Sequence, residues 1–384
     1  MTASAITREG ERDRLGVKLT QIDWTFCLLL VGIAGAGVLM LYSIAGGSWS
    51  PWAGRHLILF CVCFVLMIAL AIVDLRVWFA LAYPVYLVGM ALLLAVAVIG
   101  HSSLGAQRWL DIGPIRIQPS EIIKIGLVLA LARFYHGRSG SQARLSFWLL
   151  IPAVLIGAPA AIVAHQPDLG TALLIAATGG VMMILAGLSL RLVAVGLVGL
   201  GAVLPAVFMF GLKAYQRARL LTFLNPEADR SGAGYHIIQS KIALGSGGLL
   251  GKGFGLGTQS QLNFLPEKST DFIFSSMAEE FGFVGCAAIL GLYAAVIFIA
   301  LRIAGVSHSH FGRLAAAGVT VTFALCVLIN GAMVMGLAPV VGVPMPLLSF
   351  GGTVMITMMV GFALVLSVRV HRYSEVTRGG GALM

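Results

Sequence analysis

Ten long apolar stretches dominate this chain and constrain its fold more than any other feature. A helix needs about 20 mostly apolar residues to cross the hydrocarbon core of a bilayer, and 59% of the residues here are hydrophobic. We predict membrane-spanning helices at about residues 23–43, 55–74, 78–99, 121–135, 147–165, 169–188, 192–212, 272–301, 313–335 and 351–368. The predicted fold class is therefore all-α, a polytopic membrane protein with about ten transmembrane helices.

The charged residues are arranged around this predicted membrane. The net charge is +10, but the basic residues flank the spans on one side instead of forming the patch that a nucleic-acid partner requires. By the positive-inside rule we predict a cytoplasmic N-terminal tail (1–22), a single transmembrane domain (23–368) and a cytoplasmic C-terminal tail (369–384). The five cysteines all lie in apolar spans without a CxxC spacing, so we expect no disulfide and no zinc site.

This orientation predicts a long extracytoplasmic loop between helices 7 and 8, at residues 213–271. A loop of this length without regular structure is uncommon unless it is functional. It carries seven Lys and Arg residues on the side where basic residues are normally sparse, which indicates an anionic ligand. Lys241 belongs to a short amphipathic segment at 235–244. The glycine-rich run after it lacks Walker A spacing, and it either binds phosphate through backbone N–H groups or forms a packed re-entrant turn.

The segment PEKSTDFIFSSMAEE (266–280) concentrates charge at the start of the eighth span. Charged side chains near hydrocarbon are costly, so they are usually paired, hydrated or functional. If the helix begins at Asp271, then Ser275 and Glu279 follow at four-residue steps on the same face. Asp271 either caps this helix or is a catalytic carboxylate, and the surrounding charges favour catalysis.

A second charged group lies at the start of the fourth span, in QPSEIIKI. Ser120 is a candidate N-cap, and Glu121 and Lys124 share one face of the first turn. They form either a simple intrahelical ion pair or part of a site, because an ammonium group in a membrane span usually faces a partner or a wet cavity. Arg108, just before them, either grips phosphate oxygens with its guanidinium or anchors the chain among lipid headgroups.

Two further outer motifs carry polar candidates. Asp168 in HQPDLGT lies at the N-terminus of the sixth span, where helix capping alone would explain an acid. Ser349 belongs to VVGVPMPLLSFGG, just before the last span. Irregular backbone of this kind cannot face lipid, so we expect this stretch to line a cavity.

Taken together, GAQRW, QPSEIIKI, QPDLGTA, PEKSTDFIF with AEEFGFVG, and VVGVPMPLLSFGG resemble the SEDS family (shape, elongation, division and sporulation), over residues 23–372. The resemblance implies a peptidoglycan glycosyltransferase of cell elongation and cell shape that polymerises lipid II. In the implied reaction the GlcNAc 4-hydroxyl attacks C1 of MurNAc with inversion, and undecaprenyl pyrophosphate leaves. On the family pattern Asp271 is the essential acid, with general base as its role. The implied substrate-binding residues are Arg108, Lys124 and Lys241 for the pyrophosphate, with Glu121, Asp168, Glu279 and Ser349 as supporting contacts.

The resemblance also implies partners and a location. The partners are a class B penicillin-binding protein (a transpeptidase) and the elongation-complex proteins MreC, MreD and RodZ. The location is the cytoplasmic (inner) membrane, with the active site on the extracytoplasmic side. No tightly bound cofactor is expected. Whether a Mg2+ or Mn2+ ion binds through Asp271 or Glu280 stays open.

Two other functions also stay open. Ten spans with broken helices and buried charges are typical of transporters, so the chain could be a lipid II flippase. It could also be a non-catalytic scaffold of the elongation complex.

Overall fold

The described part of the chain is mainly helical. The computed structural model describes residues 15–99, 101–103, 106–112, 115–136, 147–206, 209, 211, 214–228, 232–265 and 267–374. The helices are α1 (Leu15–Thr20), α2 (Trp24–Ile44), α3 (Ala53–Ala71), α4 (Leu75–Ile99), α5 (Pro119–Tyr135), α6 (Leu150–His165), α7 (Leu169–Leu185), α8 (Leu190–Ala206), α9 (Ala214–Leu224), α10 (Ala233–Ser246), α11 (Thr258–Gln261), α12 (Ile273–Val306), α13 (His310–Val334) and α14 (Gly352–Val370).

The predicted fold class is confirmed, because each of the ten predicted spans coincides with one helix among α2–α8 and α12–α14. Within the part of the chain that the structure describes, six of them are long and apolar enough to cross a membrane: α2, α3, α4, α12, α13 and α14. The other four, α5 to α8, have 16 or 17 residues each. That corresponds to about 24–26 Å, slightly less than the hydrocarbon core of about 30 Å.

Helix α5 lies inside the bundle. Fourteen of its 17 residues are buried, and it packs against α4, α7, α13 and α14. Gly126 permits the close approach of α4, since a Cβ atom there would lie 2.9 Å from the Cα of Tyr86. Small residues allow helices in membranes to approach this closely. The charged side chains on the first turn of α5 therefore face protein.

Both long segments that we predicted to lie outside the cytoplasm contain more regular structure than the sequence indicated. Between α4 and α5 the chain forms a small antiparallel sheet in the order β1 (His101–Ser103), β2 (Ala106–Ile112) and β3 (Ile115–Ile117). The long segment between α8 and α12 contains α9, α10 and α11. The predicted amphipathic segment at 235–244 is confirmed as part of α10.

The eighth span differs from the predicted continuous helix. Helix α12 begins at Ile273, two residues after Asp271, and it is interrupted at Gly282, where φ is +62° and ψ is −161°. The residues from Phe283 onward continue as a regular helix to Val306. The span is therefore a half-helix followed by a full-length helix.

A glycine-rich turn, residues 247–257, fills this interruption. The N–H groups of Lys252 and Gly253 donate to the carbonyl oxygens of Glu279 and Glu280 at 2.9 and 3.0 Å. On the other side of the break, the carbonyls of Gly248 and Leu249 accept from the N–H groups of residues 283 and 284 at 2.9 and 3.1 Å. Because these backbone groups bond to the protein, the structure favours the packed turn, and the amides of Lys252 and Gly253 are occupied by protein carbonyls instead of phosphate.

Replacing Gly282 with alanine is expected to destabilise the protein. This combination of φ and ψ is essentially restricted to glycine, and a Cβ atom would lie 2.7 Å from the carbonyl oxygen of Leu249. We expect a loss of at least about 1–3 kcal/mol, measured as a lower unfolding temperature in detergent. Gly291, which has open space around it in the regular part of α12, provides the control: Gly291→Ala should not lower that temperature. Equal effects at both positions would contradict the argument.

Candidate active site

Asp271 lies in the short segment 267–272 that precedes α12. Its side chain is half-buried. The N-cap of α12 is Phe272, which makes no side-chain capping bond, so Asp271 is not the N-cap residue of this helix. The carboxylate faces Gly342, where an added Cβ atom would lie 3.7 Å from Oδ2 of Asp271. The side chain therefore points toward the loop between α13 and α14.

Asn330 of α13 fixes the backbone at Asp271. Its side-chain amide donates to the carbonyl of Asp271 and to the carbonyl of Val343, both at 2.8 Å. The residue is fully buried, and its own Oδ1 accepts no hydrogen bond in the structure. Sequence analysis missed Asn330, although it is the only asparagine in any predicted span, and a lone amide within hydrocarbon is a signal of function.

The loop between α13 and α14, residues 336–351, is called the proline-rich loop here. Ser349 donates its hydroxyl to the carbonyl of Thr270 at 2.6 Å and accepts from the N–H of Met345 at 2.9 Å. The N–H of Phe350 donates to the carbonyl of Ser269 at 2.9 Å. The two residues before Asp271 are thus attached to this loop, and the structure brings the predicted residue Ser349 to the site as a backbone support.

Buried side chains from two helices hold the proline-rich loop itself. The Nε2 atom of His56 on α3 bonds the carbonyl of Leu347 at 3.0 Å, and the hydroxyl of Tyr293 on α12 donates to the carbonyl of Pro346 at 2.6 Å. These bonds satisfy carbonyls that would otherwise be unpaired in a membrane. They also make the loop a rigid wall beside Asp271.

Glu121 and Lys124 form the predicted ion pair at 2.8 Å, with side chains only 4–5% exposed. The predicted N-cap is wrong: Gln118 precedes the helix and Pro119 begins it, because the fixed φ of proline suits the first helical turn. Ser120 is instead buried within the first turn. One oxygen of Glu121, Oε2, has no hydrogen-bond partner in the structure.

Helix α13 relates this ion pair to Asp271. Cys326 of α13 is close enough to interact electrostatically with Lys124 and Glu121. Asn330, which holds Asp271, follows four residues later, about 6 Å along the same face. The ion pair and the half-buried carboxylate therefore lie against successive turns of one helix.

Asp168 contributes a third acid to this region. Its carboxylate accepts from the N–H of Thr171 at 3.3 Å, so the predicted helix cap is confirmed. Its charge also acts on Lys124. The first turn of α7 touches the proline-rich loop, since Gly170 lies directly against Val341, one residue from Gly342.

Glu279 and Glu280 hold the glycine-rich turn. The buried Glu279 carboxylate accepts from Nζ of Lys252 at 2.6 Å, from the hydroxyl of Thr258 at 2.8 Å and from the N–H of Gln259 at 3.0 Å. Both of its oxygens are therefore used within the protein. The role of Glu279 in substrate binding stays a prediction, and substrate would have to displace these partners.

Glu280 connects the same turn to the first span. The hydroxyl of Ser43 donates to its carboxylate at 2.6 Å, and the N–H of Gly255 donates to it at 3.2 Å. The side chain of Gln261 in turn donates to the carbonyl of Ser43 at 2.8 Å. The two neighbouring acids thus fix the turn from both sides.

We expect unequal effects from the two partners of the Lys252–Glu279 pair. Lys252→Met leaves the fully buried Glu279 carboxylate without its cation, and breaking a buried pair in this way costs about 3–5 kcal/mol. Glu279→Gln keeps the shape and leaves Lys252, whose side chain is 31% exposed, able to reach water. It should cost less, about 1.5–3 kcal/mol. Unfolding temperatures of the two variants test this order, and the reverse order would contradict it.

The remaining predicted cations occupy different positions. Lys241 of α10 is exposed, and its Nζ lies 2.8 Å from where a Cβ on Gly336 would be, so it covers one end of the proline-rich loop. The backbone of Arg108 belongs to β2, but its side chain lies outside the described residues. Lys268 braces the segment of Asp271 by donating to the carbonyl of Ser260 at 2.6 Å, and burial lowers the pKa of its ammonium group.

The described residues do not form a complete metal site from protein ligands alone. Among them, no group of three or more His, Cys, Asp or Glu side chains converges on one point. The Glu280 carboxylate, which the sequence suggested as an alternative to Asp271 for holding an ion, is bonded to Ser43 and Gly255. A divalent ion held through one carboxylate would take its other ligands from substrate phosphates and water.

In the described part of the chain, six helices long and apolar enough to cross a membrane, together with shorter apolar helices, surround buried charged side chains. This arrangement defines a polytopic membrane protein with an internal polar site. The family model described as "Cell cycle protein", covering FtsW, RodA and SpoVE, matches residues 21–374. The chain belongs to this family, and the resemblance to SEDS proteins is confirmed.

Named relatives and solved structures agree with this assignment. The chain is 44% identical over 351 residues to the peptidoglycan glycosyltransferase MrdB of Escherichia coli K12, covering 91% of this chain and 94% of the relative. It is 34% identical over 360 residues to a probable peptidoglycan glycosyltransferase FtsW of Trichlorobacter lovleyi, covering 91% and 94%. The RodA crystal structure from Thermus thermophilus gives a TM-score of 0.70 at 30% identity, covering 92% and 98%. A chain of a peptidoglycan synthase complex that coordinates polymerization and crosslinking gives 0.79 at 32%, with the same coverage.

Proposed function

We propose that this chain is the peptidoglycan glycosyltransferase of cell elongation, which polymerises lipid II into glycan strands. The observation that carries the proposal is the half-buried carboxylate of Asp271, whose backbone segment is held by Asn330 and the proline-rich loop near a buried ion pair. Family membership supports the activity, and 44% identity to MrdB against 34% to FtsW favours the elongation branch.

The reaction is a single inverting displacement. The 4-hydroxyl of the GlcNAc of one lipid II attacks C1 of MurNAc on the donor, and the bond from C1 to the pyrophosphate oxygen breaks. Asp271 accepts the hydroxyl proton as general base. No second acid is needed, because the undecaprenyl pyrophosphate leaves as an anion that cations can stabilise. Asp271 thus has the role that the base has in inverting glycoside hydrolysis.

Lys124 and Lys241 are the proposed contacts of the leaving pyrophosphate, together with Arg108. Glu121 and Asp168 would keep the Lys124 ammonium oriented inside the bundle, since a charge there needs partners. Ser349 supports the segment of Asp271 through the carbonyl of Thr270. A Mg2+ or Mn2+ ion at Asp271 would require ligands from the substrate, because neighbouring protein carboxylates are engaged elsewhere.

The proposed location is the cytoplasmic (inner) membrane, with both termini in the cytoplasm and the site on the outer side. The distribution of basic residues supports this orientation. The proposed partner is a class B penicillin-binding protein, supported by the similarity to a chain of a peptidoglycan synthase complex. MreC, MreD and RodZ are proposed partners on the family resemblance alone.

The test is glycan-strand formation from labelled lipid II by the purified chain with its penicillin-binding partner, whose transpeptidase is blocked by a β-lactam. Strands resolved on a gel would support the polymerase. Transport of lipid II across proteoliposomes without strand formation would support a flippase instead. Partner binding with neither activity would support a scaffold.

A further inference from the structure

The glycine-rich turn exposes a set of large apolar side chains on the surface of the protein. Four of them, called the apolar tip, are Leu249 (72% exposed), Leu250 (80%), Phe254 (47%) and Leu256 (63%). Their backbone is not loose, because both sides of the turn are hydrogen-bonded to α12. A fixed turn that presents apolar side chains outward needs an apolar environment.

The hydrogen bonds of the turn fix its depth relative to the membrane. The carbonyls of Gly248 and Leu249 accept from the N–H groups of Phe283 and Val284, the first residues of the continuous helix. From Phe283 to the charged Arg302 this helix rises about 28 Å, close to the hydrocarbon thickness of about 30 Å. Phe283 therefore lies near one edge of the hydrocarbon, and the apolar tip lies at the same level.

The outer surface of α12 continues into the apolar tip. Phe283 and Val284 are 67% and 54% exposed, and Phe298 further along the same helix is 69% exposed. Exposed apolar side chains along a membrane-spanning helix face lipid. Since Leu249 is hydrogen-bonded to Val284, the lipid-facing surface extends without interruption onto the turn.

The charges of this region do not oppose burial in lipid. Lys252, the one charged residue of the turn at residues 247–257, is paired with Glu279 at 2.6 Å. The Glu280 carboxylate accepts from Ser43 and Gly255. A neutralised pair carries a far smaller desolvation penalty than an isolated ammonium group.

We propose that the apolar tip inserts into the lipid bilayer at the boundary between headgroups and acyl chains. The tip contacts lipid. The turn acts as a re-entrant anchor that holds the beginning of the continuous part of α12, at Phe283, at a fixed depth in the membrane. This insertion rests neither on the proposed activity nor on the proposed orientation of the chain in the membrane.

The test uses a fluorescent probe at Leu250. The variant Leu250→Cys, in a background with the exposed Cys61 replaced by serine, is labelled with bimane and reconstituted alone into phosphatidylcholine vesicles. Lipids brominated near the headgroup or near the acyl terminus report contact with lipid, and iodide reports contact with water. Val284→Cys is the lipid-facing control, and Glu227→Cys, at an exposed charged residue, is the aqueous control.

We expect the Leu250 probe to be quenched by lipid brominated near the headgroup about as strongly as the Val284 probe, and several-fold more strongly than the Glu227 probe. Iodide should quench it less than the Glu227 probe. Strong iodide quenching without bromolipid quenching would overturn the proposal. Loss of that water contact only after adding the penicillin-binding partner would assign the tip to a protein interface. Protection that disappears on dilution of the protein in lipid would assign it to a second copy of the chain.

A second experiment places the probe at residue 256, so that the result does not depend on a probe at Leu250. With bimane at Leu256→Cys, replacing both Leu249 and Leu250 with aspartate should shift bimane emission to longer wavelength and reduce bromolipid quenching. Replacing both with methionine should change neither. An identical signal in the aspartate and methionine variants would also overturn the proposal.

Discussion

Replacing Asp271 with alanine is expected to abolish glycan polymerisation while the protein still folds. The carboxylate is half-buried and the N-cap of α12 is Phe272, so the substitution neither leaves a large buried cavity nor replaces the N-cap residue of the helix. Loss of a positioned general base reduces rates by about 10²–10⁴-fold. The measurement is strand formation from lipid II with the partner's transpeptidase blocked, at matched protein amounts.

Asp271→Asn and Glu267→Gln make this prediction specific. Asp271→Asn keeps the shape of the side chain but cannot accept the proton, so it should be as inactive as alanine. Glu267→Gln changes an exposed acid four residues earlier in the same segment, and it should retain near-normal activity. Substantial strand formation by a well-folded Asp271→Asn protein would remove Asp271 as the base.

Asn330→Ala is expected to have the second largest effect. It leaves the half-buried carbonyl of Asp271 and the buried carbonyl of Val343 without their donor, and a buried group left unsatisfied costs about 1–3 kcal/mol. The segment of Asp271 would then be free to shift against the proline-rich loop. Because a displacement of about 1 Å can cost 10²-fold in rate, we expect kcat to fall by up to that factor while KM changes little.

A loss of stability alone would not lower kcat while leaving KM unchanged, so a control that affects only stability is needed. Ser367→Ala removes another hydrogen bond, from the Ser367 hydroxyl to the carbonyl of Val73 at 2.8 Å, about 22 Å along α14 from the proline-rich loop. It should lower the unfolding temperature but leave kcat unchanged. Asn330→Asp, which keeps the size but has at most one donor, should fall between wild type and alanine. If Ser367→Ala and Asn330→Ala lowered kcat equally, Asn330 would have no positioning role.

Local patterns in the sequence predicted several parts of the structure correctly. The ten spans follow from composition over about 20 residues, because each helix must satisfy its own backbone in lipid. The Glu121–Lys124 pair and the Asp168 cap follow from spacing within a single turn. The choice of Asp271 as the leading candidate for chemistry rests on a charge at the start of an apolar run, and its role stays a prediction. Each of these features depends on residues that are neighbours along the chain.

Contacts between distant segments were not predictable in the same way. Asn330 joins Asp271 to Val343, and the Glu280 carboxylate accepts a hydrogen bond from the hydroxyl of Ser43. The glycine-rich turn packs into the break of α12 at Gly282. The spacing of these residues along the chain does not predict which of them contact each other. A glycine in an apolar span normally indicates close helix packing.

The sequence by itself determined that this chain is a bundle of about ten membrane helices and that Asp271 is its leading candidate for chemistry. The tertiary structure alone decided which groups hold the backbone that carries this carboxylate: an amide from α13, a serine from the proline-rich loop, and a half-helix fixed by a re-entrant turn. The physical reason is that hydropathy and helical spacing act over a few residues. Buried hydrogen bonds, by contrast, are satisfied by whichever groups the packing of the helices brings within reach.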